Sequence, residues 1–298
     1  MTGGIRGFRS SILSCYLPLM TDPVLCFIAA AVIAAWGYRQ KFLSLGGAVA
    51  AFVIGGCVWY GGRWGLAVPL VFFFVTSSLM TKWSMRKRQI WTSIANEIKS
   101  ESRGFSFNHK YLAGRHTRRN IRQVAANGAV AAGCALIGGI TGDPRWLCAG
   151  LCALAAMTGD TWSSEIGRAL AERPFDLRTR RRIEAGISGA VSLPGTIAGM
   201  AGALCTALTG VFLLPKVGLS TGLSLAVIAG IGIIGVWFDS LLGATIQIRF
   251  TCESCGKSTD SPTHCGWPCL RTAGWPGINN DVVNLLTTIF AAGIFLWT

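Results

Sequence analysis

The residues best suited to chemistry stand at the end of an apolar run, in the motif GDTWSSEIG that begins at Gly159. Two carboxylates, Asp160 and Glu165, occur there beside the hydroxyls of Thr161 and Ser164. An ionisable side chain inside a membrane segment costs about 3 kcal/mol on insertion scales, so it normally faces a bundle interior, a cation or a polar ligand. The motif therefore predicts a functional site.

Further polar side chains appear at helical spacing in other apolar runs. Asp239, Gly243 and Gln247 are four residues apart and share one helix face. Asn280 and Asn284 are spaced in the same way. The site residues that we predict from these runs are Asn127, Asp239, Ser240, Gly243, Gln247, Asn280, Asp281 and Asn284.

Glycines and hydroxyls alternate between residues 186 and 196. Ser188, Ser192 and Thr196 form one hydroxyl stripe if the segment is helical. Gly195 and Gly199 follow the small-xxx-small pattern of close helix packing, which we favour for that pair. The candidates for contact with a phosphate or nucleotide here are Gly186, Ser188, Gly189, Ser192, Gly195 and Thr196.

Four carboxylates map to the ends of four different apolar runs: Asp160, Glu165, Asp239 and Asp281. For any one of them, a helix cap or an ion pair with a loop arginine is an equally good explanation. Four together, mixed with Asn, Ser and Thr, favour a Mg²⁺ site, because Mg²⁺ takes oxygen ligands and bridges to substrate phosphates. We therefore predict that they are catalytic Mg²⁺ ligands.

The basic segment before Asn127 offers a second means of binding phosphate. Most of its lysines and arginines are explained by topology and by anionic lipid headgroups. Arg115, Arg118 and Arg119 are the best candidates for a phosphate clamp.

Four cysteines and a histidine cluster in one later loop. Cys252 and Cys255 form a C-x-x-C pair, and His264, Cys265 and Cys269 follow. In a reducing compartment this spacing favours metal binding over disulfides, and it is similar to a zinc ribbon. We predict a structural Zn²⁺ held by four of the five side chains, with His264 and Cys269 as alternatives for the last position.

The composition places these groups in a membrane. Of the 298 residues, 51% are hydrophobic and 13% charged, and the mean hydropathy is +0.50. We predict an all-α integral membrane protein of about eight transmembrane helices with a small zinc-ribbon-like cytosolic loop. The predicted spans lie near 23–38, 42–60, 64–80, 123–141, 146–166, 188–214, 222–248 and 281–298.

The loop charges predict the orientation. Most of the 27 lysines and arginines fall in loops on one side of the eight spans, which the positive-inside rule assigns to the cytosol. The predicted site faces that side, and both termini lie outside. Since the net charge of +14 follows from topology, we expect the lipid bilayer and no nucleic acid as a partner. The chain has no P-loop, which excludes that type of soluble nucleotide-binding fold.

These predictions divide the chain into six parts. They are an unassigned segment 1–21, a three-helix scaffold 22–80, a basic cytosolic loop 81–122, catalytic helices 123–248, a cysteine-rich cytosolic loop 249–277 and a last helix 278–298.

Five motifs occur in a characteristic order. They are Q-V-x-x-N-G at 123–128, D-T-x-x-S-E-I-G at 160–167, G-x-S-G-A-V-S-x-x-G-T at 186–196, D-S-L-L-G-A-T-x-Q at 239–247 and N-D-V-V-N at 280–284. Over residues 40–298 the chain resembles the phytyl-phosphate kinase family of integral membrane proteins, which includes the transmembrane protein 19 group.

The resemblance implies an enzyme that passes the terminal phosphate of a nucleoside triphosphate, with CTP expected, to an isoprenyl monophosphate. The product is the prenyl diphosphate. The positions that match the family motifs include Asp160, Glu165, Asp239, Asp281, Asn127, Asn280 and Asn284. The cysteine loop is similar to one in microbial relatives and is missing from the plant enzymes.

Two alternatives stay open. One is a membrane transferase that uses CTP as a nucleotidyl donor and makes a CDP-lipid. The other is a carrier or flippase for a phosphorylated lipid, in which the intramembrane carboxylates are coupling sites.

Overall fold

The computed structural model describes residues 23–103, 118–171, 173–183, 186–215 and 217–298. The predicted clamp residue Arg115 and the unassigned segment 1–21 lie outside these ranges. Over the described residues the chain is mostly helical. The helices are α1 (Pro23–Arg39), α2 (Leu45–Arg103), α3 (Ile121–Thr141), α4 (Pro144–Leu170), α5 (Leu193–Val211), α6 (Thr221–Thr245) and α7 (Asn280–Trp297).

Helix α2 turns back on itself at Arg63, whose φ of 46° and ψ of −142° break the helical geometry. The amide of Ser44 donates to the Arg119 carbonyl at 3.0 Å. Lys82 Nζ donates to the Gln40 carbonyl at 2.9 Å, so residue 82 lies beside the start of α2. The two parts of α2 therefore run antiparallel, in agreement with separate predicted spans at 42–60 and 64–80.

Helix α4 lies at the centre of the bundle and packs against α2, α3, α5, α6 and α7. Leu151, Leu154 and Met157 are fully buried. Gly159 lies against Gly199 of α5 and Val236 of α6, where a Cβ atom would come within 2.8 Å and 2.6 Å of them. Because lipid tails are as apolar as leucine, it is close packing of small residues that stabilises such contacts in a bilayer.

Five helices in the described part of the chain are long and apolar enough to cross a membrane: Leu45–Ile90 of α2, α3, α5, α6 and α7. Helix α1 has only a short apolar segment, Phe27–Arg39. Helix α4 carries Asp160, Glu165 and Arg168 in its second half, and its apolar part is enclosed by protein. Eight crossings, and their orientation, stay predictions.

The two loops that follow α4 and α6 contain short strands, so the described chain is not all-α. The first sheet has the order β2 (Arg181–Arg182), β1 (Phe175–Asp176), β3 (Ala190–Val191), with both pairs antiparallel. The cysteine loop contains β4 (Arg249–Thr251), β5 (Ser258–Thr259), β6 (Thr263–His264), β7 (Trp267–Pro268) and β8 (Leu270–Ala273). They form a sheet β5-β4-β8 and a hairpin β6-β7.

The cysteine loop leaves and re-enters the bundle through one narrow stem. The Trp275 amide donates to the Ile246 carbonyl at 2.9 Å, and the Ile248 amide donates to the Ile278 carbonyl at 2.8 Å. Gly274, with a φ of 76°, fits against the Gln247 carbonyl, where a Cβ atom would overlap it. The stem therefore holds the end of α6 beside the start of α7.

Three predicted boundaries are corrected. The predicted span 188–214 begins as a helix only at Leu193, because Ser192 is the N-cap and Pro194 occupies the first turn. Ser188, Ser192 and Thr196 therefore form no helical stripe. Helix α6 ends at Thr245, so Gln247 lies beyond it. Residues 81–103, predicted as loop, continue α2, since they are rich in helix-forming residues.

Candidate functional site

The centre of the candidate site is a pair of carboxyl groups. Asp160 of α4 and Asp239 of α6 lie within hydrogen-bonding contact of each other. Asp239 is buried, and its Oδ2 accepts a 3.0 Å hydrogen bond from Thr287 Oγ1 of α7. Asp160 is partly exposed. Gly159 allows α4 to approach α6, and it thereby brings the two carboxyls together.

Glu165 lies five residues beyond Asp160 and joins α4 to α2. Its Oε1 accepts hydrogen bonds from Thr81 Oγ1 at 3.1 Å and Arg168 Nη2 at 3.0 Å. The residue is 7% exposed, and its Oε2 is buried with no hydrogen-bond partner among the described residues. The buried Ser84 hydroxyl also interacts with this carboxylate. Oε1 is therefore held by Thr81 and Arg168, while Oε2 can accept from Ser84 or bind a cation.

Arg168 folds back along its own helix. Besides Glu165, it bonds the carbonyl of Ser164 at 3.0 Å and the Ser164 hydroxyl at 3.3 Å. The Ser164 hydroxyl in turn donates to the Thr161 carbonyl at 3.2 Å. Thr161 and Ser164 thus lie on the same two turns as the carboxylates, and Ser164 serves to position Arg168.

Arg119 stands just before α3, and its charge acts on Glu165. Its guanidinium lies 5.4 Å from the centre of the Phe73 ring and makes no hydrogen bond to any described residue. Burial lowers the pKa of Arg119 to about 10, against the raising effect of Glu165, so it stays protonated at neutral pH. A half-buried cation of this kind is suited to binding a phosphate.

A chain of asparagine amides links α3 to α7. Asn284 Nδ2 donates to Asn127 Oδ1 at 2.9 Å, and Asn280 Nδ2 donates to Asn284 Oδ1 at 3.3 Å. Asn127 and Asn284 are both buried. Thr287 follows Asn284 by one turn of α7 and donates to Asp239, so this series of amides ends close to the Asp239 carboxyl.

Asp281 has different surroundings from the other three carboxylates. It lies in the first turn of α7, where its charged neighbour is Arg122. It precedes Thr287 by six residues, which is about 9 Å along a helix axis. The contacts place Asp281 nearer the bundle end than the pair formed by Asp160 and Asp239.

The segment 186–192 is held as a turn by the ends of two other elements. Gly189 has a φ of 75° and lies against Gly243 and the Ala244 backbone, where a Cβ atom would overlap. Ser188 Oγ donates to Asp260 Oδ2 at 2.6 Å and accepts from Gln247 Nε2 at 2.7 Å. Gly186 also has a positive φ, of 106°. Gly189, Gly243, Gln247 and Ser188 therefore fix the loop.

The remaining candidates lie where α4, α5 and α6 meet. Ser192 Oγ accepts from the Gly195 amide, and Gly195 packs against the Ser163 carbonyl, as the small-residue pattern predicts. Thr196 and Ser240 line a small cavity with Ser163. Its volume of about 10 Å³ holds about one water molecule.

A buried ion pair beside this loop was not anticipated from the sequence. Arg249 bonds both carboxylate oxygens of Asp176 at 3.3 Å and also the Ser188 carbonyl. Burial alone would raise the pKa of Asp176, but hydrogen bonds from Arg249 and Thr179 outweigh it and leave the pKa below its ordinary value. The pair is 73 residues apart in sequence, and no periodicity indicates it.

The cysteine loop brings four potential metal ligands together. The ligand atoms of Cys252, Cys255, His264 and Cys265 all lie within 4.8 Å of one another. A tetrahedral site with Zn–S bonds of about 2.3 Å and Zn–N bonds of about 2.0 Å fits within that spacing. Cys269 is not a member of this group, although it lies near Cys252, whose side chain acts on it.

Known proteins are similar to this sequence over most of its length. The family described as integral membrane protein DUF92 matches residues 28–292. The chain belongs to this family. The five sequence motifs had indicated the same family, so that recognition is confirmed.

Three relatives show how far the likeness extends. Protein PGR of Arabidopsis thaliana is 27% identical over 301 residues, which cover 90% of this chain and 93% of the relative. An uncharacterized membrane protein of Synechocystis sp. is 29% identical over 265 residues, 87% of this chain and 80% of the relative. Protein VTE6, chloroplastic, of Arabidopsis thaliana is 27% identical over 248 residues, 82% of this chain and 61% of the relative. No solved structure matches.

Proposed function

We propose that the protein is a membrane-embedded kinase that transfers the terminal phosphate of a nucleoside triphosphate, CTP in this proposal, to an isoprenyl monophosphate. The observation that carries the proposal is the contact between the Asp160 and Asp239 carboxyls inside the helix bundle. Two carboxyls so close repel each other when both are ionised, so they share a proton or bind a cation. A Mg²⁺ ion that also binds a triphosphate meets this requirement.

The donor set fits Mg²⁺. Asp160 and Asp239 offer carboxylate oxygens from two helices, and Asp160 is partly exposed. Glu165 can add its unpartnered Oε2, while its Oε1 stays with Thr81 and Arg168. When bound, the ion neutralises charge on the triphosphate and on the departing diphosphate. The Asp281 carboxylate, beside Arg122, is assigned to the periphery of the site.

Cationic and amide groups complete the proposed site. Arg168 is paired with Glu165, the charge of Glu165 also acts on Arg119, and both arginines supply positive charge for the phosphates. The side-chain amides of Asn127, Asn280 and Asn284 are hydrogen-bonded to one another between α3 and α7, and these bonds fix their orientation. Phosphoryl transfer needs mainly such positioning and charge stabilisation, and little covalent chemistry from the protein.

The reaction needs no catalytic base. An oxygen of the acceptor monophosphate forms a bond to the terminal phosphorus of the triphosphate. The bond from that phosphorus to its bridging oxygen breaks, and the nucleoside diphosphate leaves with the electron pair. Since the second pKa of a phosphate monoester is about 6, the attacking oxygen is ionised at neutral pH and no side chain has to remove a proton.

Membership of an integral membrane family supports a location in the membrane. The resemblance to phytyl-phosphate kinases supports transfer of a phosphate to a prenyl phosphate. The polar residues of α4, α6 and α7 gather at the bundle end where Lys82 meets Gln40 and Ser44 meets Arg119. We propose that this end faces the cytosol, where the nucleotide is available. The zinc bound by the cysteine loop is a structural cofactor in this proposal.

The experiment that tests the proposal separates three functions by product. Purified protein receives geranylgeranyl or phytyl phosphate with CTP and Mg²⁺. A kinase releases CDP and the prenyl diphosphate, whereas a nucleotidyltransferase releases pyrophosphate and a CDP-lipid. Absence of nucleotide turnover across a panel of prenyl phosphates would contradict both enzymes and leave the carrier, which moves a labelled prenyl phosphate across vesicles without nucleotide.

A further inference from the structure

A cavity lies among the N-terminal helices, which the sequence had indicated only as a scaffold. It is enclosed by α1, both parts of α2 and the first turns of α3. Its cavity volume is about 80 Å³, and the empty space is about 770 Å³ when the part open to the surroundings is included. The cavity is therefore long and narrow.

The cavity is apolar along its length and polar at one end. Every lining residue except Arg119 and Asn127 is apolar or glycine. Leu43, which pairs with Arg119 through the backbone, lies at the polar end. Ser44 also lies at this end, because its amide donates to the Arg119 carbonyl. Gly55, beside Ala30, is eleven residues further along the chain, which is about 16 Å along a helix axis. An apolar space of this length suits an extended hydrocarbon chain.

The polar end of the cavity meets the candidate site. Arg119 lines the cavity, and its charge acts on Glu165. Asn127 lines it as well and is bonded to Asn284. A molecule with its tail in the cavity would present its head to Arg119, within range of the Glu165 charge.

We propose that this cavity, which we name the tail cavity, binds the hydrocarbon tail of the isoprenyl monophosphate, and that Arg119 holds the phosphate at its polar end. The inference rests on the proposed function for the identity of the lipid. A neutral lipid would leave the Arg119 guanidinium without a hydrogen-bond partner among the described residues, whereas a monophosphate supplies one. Helices α1 and α2 thus determine which tail the enzyme accepts.

Photo-labelling without nucleotide tests the tail cavity directly. The probe is a geranylgeranyl monophosphate analogue with a diazirine near the tail end, added to the full-length protein in lipid nanodiscs. We expect cross-links near Ala30 and Gly55 that excess geranylgeranyl phosphate displaces and phosphatidic acid at the same concentration does not. Cross-links on α5 or α6, or equal displacement by phosphatidic acid, would overturn the inference.

A matched pair of variants tests the depth of the cavity. Ala30→Leu narrows its far end, while Ala31→Leu adds the same atoms on the exposed face of α1. Ala30→Leu should weaken labelling by the 20-carbon phosphate about tenfold and leave binding of geranyl phosphate, with ten carbons, unchanged. An equal loss for both tails, or the same loss in Ala31→Leu, would contradict the assignment.

A third comparison tests the phosphate end. Arg119→Gln should reduce labelling by the phosphate probe between about tenfold and a hundredfold and leave labelling by the corresponding alcohol unchanged. Equal effects on both probes would remove Arg119 from the phosphate site. Labelling needs no nucleotide, so its outcome is independent of the CTP assay. Labelling of the tail cavity by a protein that shows no turnover in the CTP assay would refute only the kinase. Turnover in that assay with labelling elsewhere would refute only the tail cavity.

Discussion

The Ser188 hydroxyl donates a 2.6 Å hydrogen bond to Asp260 Oδ2, and it thereby joins the loop before α5 to the cysteine-rich loop. The same hydroxyl accepts from Gln247 at the end of α6. The cysteine loop, whose chemistry is separate from phosphoryl transfer, thus holds a segment that the sequence indicated as phosphate-binding.

Asp260 is therefore expected to be a positioning residue. Asp260→Ala should raise the KM for nucleotide about tenfold, because a hydrogen bond to a charged group is lost, with a smaller change in kcat. Steady-state kinetics at varied nucleotide concentration measure the two separately. Ser261→Ala, whose hydroxyl bonds only within the cysteine loop, is the control. Equal kinetics in the two variants would show that the loop 186–192 needs no such contact.

The carboxyl pair should be the most sensitive point of the enzyme. Asp160→Asn and Asp239→Asn should each lower kcat by a factor on the order of a hundred to a thousand, since each removes a carboxylate proposed to hold the Mg²⁺ ion that neutralises charge on the transferred phosphate. Initial rates with CTP and a prenyl phosphate, at several Mg²⁺ concentrations, give the measurement. Asp281→Asn should have a much smaller effect, in keeping with its place beside Arg122.

Asp143→Asn is the matched control for the pair, because Asp143 caps α4 at its other end and asparagine caps equally well. Thermal unfolding of all four variants in detergent checks that they are folded. Near-normal rates in Asp160→Asn and Asp239→Asn would remove the metal assignment.

The ion pair of Asp176 and Arg249 predicts a loss of stability in acid. The pKa of Asp176 is lower in the folded protein than in the unfolded chain, so the pair stabilises the fold above the unfolded value of about 3.9. That contribution disappears as the pH falls below 4 through the folded value. At pH 7, Asp176→Asn should lower the free energy of unfolding by about 3 kcal/mol.

Thermal unfolding of wild type and Asp176→Asn between pH 3 and pH 7 measures this contribution. The difference between the two proteins should be constant at neutral pH and shrink below pH 4. Glu253→Gln, an exposed carboxylate of the cysteine loop, should change stability little at any pH. A difference that is independent of pH would contradict an ionised Asp176.

The cysteine cluster predicts one zinc ion per chain. Cys252→Ser and Cys255→Ser should abolish zinc binding, while Cys269→Ser should retain it, because Cys269 lies outside the group of four. Elemental analysis of the purified proteins gives the stoichiometry. Cys57→Ser, a partly buried cysteine of α2, is the control. Loss of zinc in Cys269→Ser with retention in His264→Ala would reverse the assignment of the fourth ligand.

Periodicity predicted the helices that carry the site, because a buried helix repeats its small and polar residues every three or four positions. It placed Asp160 and Asp239 in the second halves of α4 and α6, and the structure brings the two carboxyls together. It was wrong for Ser188, where two glycines of positive φ and the cap of α5 end the helical pattern. Thr81 and Glu165 are 84 residues apart, and only the folded chain joins them.

The stem formed by Ile246, Ile248, Trp275 and Ile278 has an evolutionary consequence. Because the two segments of the stem are hydrogen-bonded to each other, we expect that the loop between them can be shortened without displacing α6 or α7. A relative that lacks the cysteine loop needs only a short turn at this point. It must, however, supply other partners for Ser188 and Asp176, and we expect those substitutions in relatives that lack the cysteine cluster.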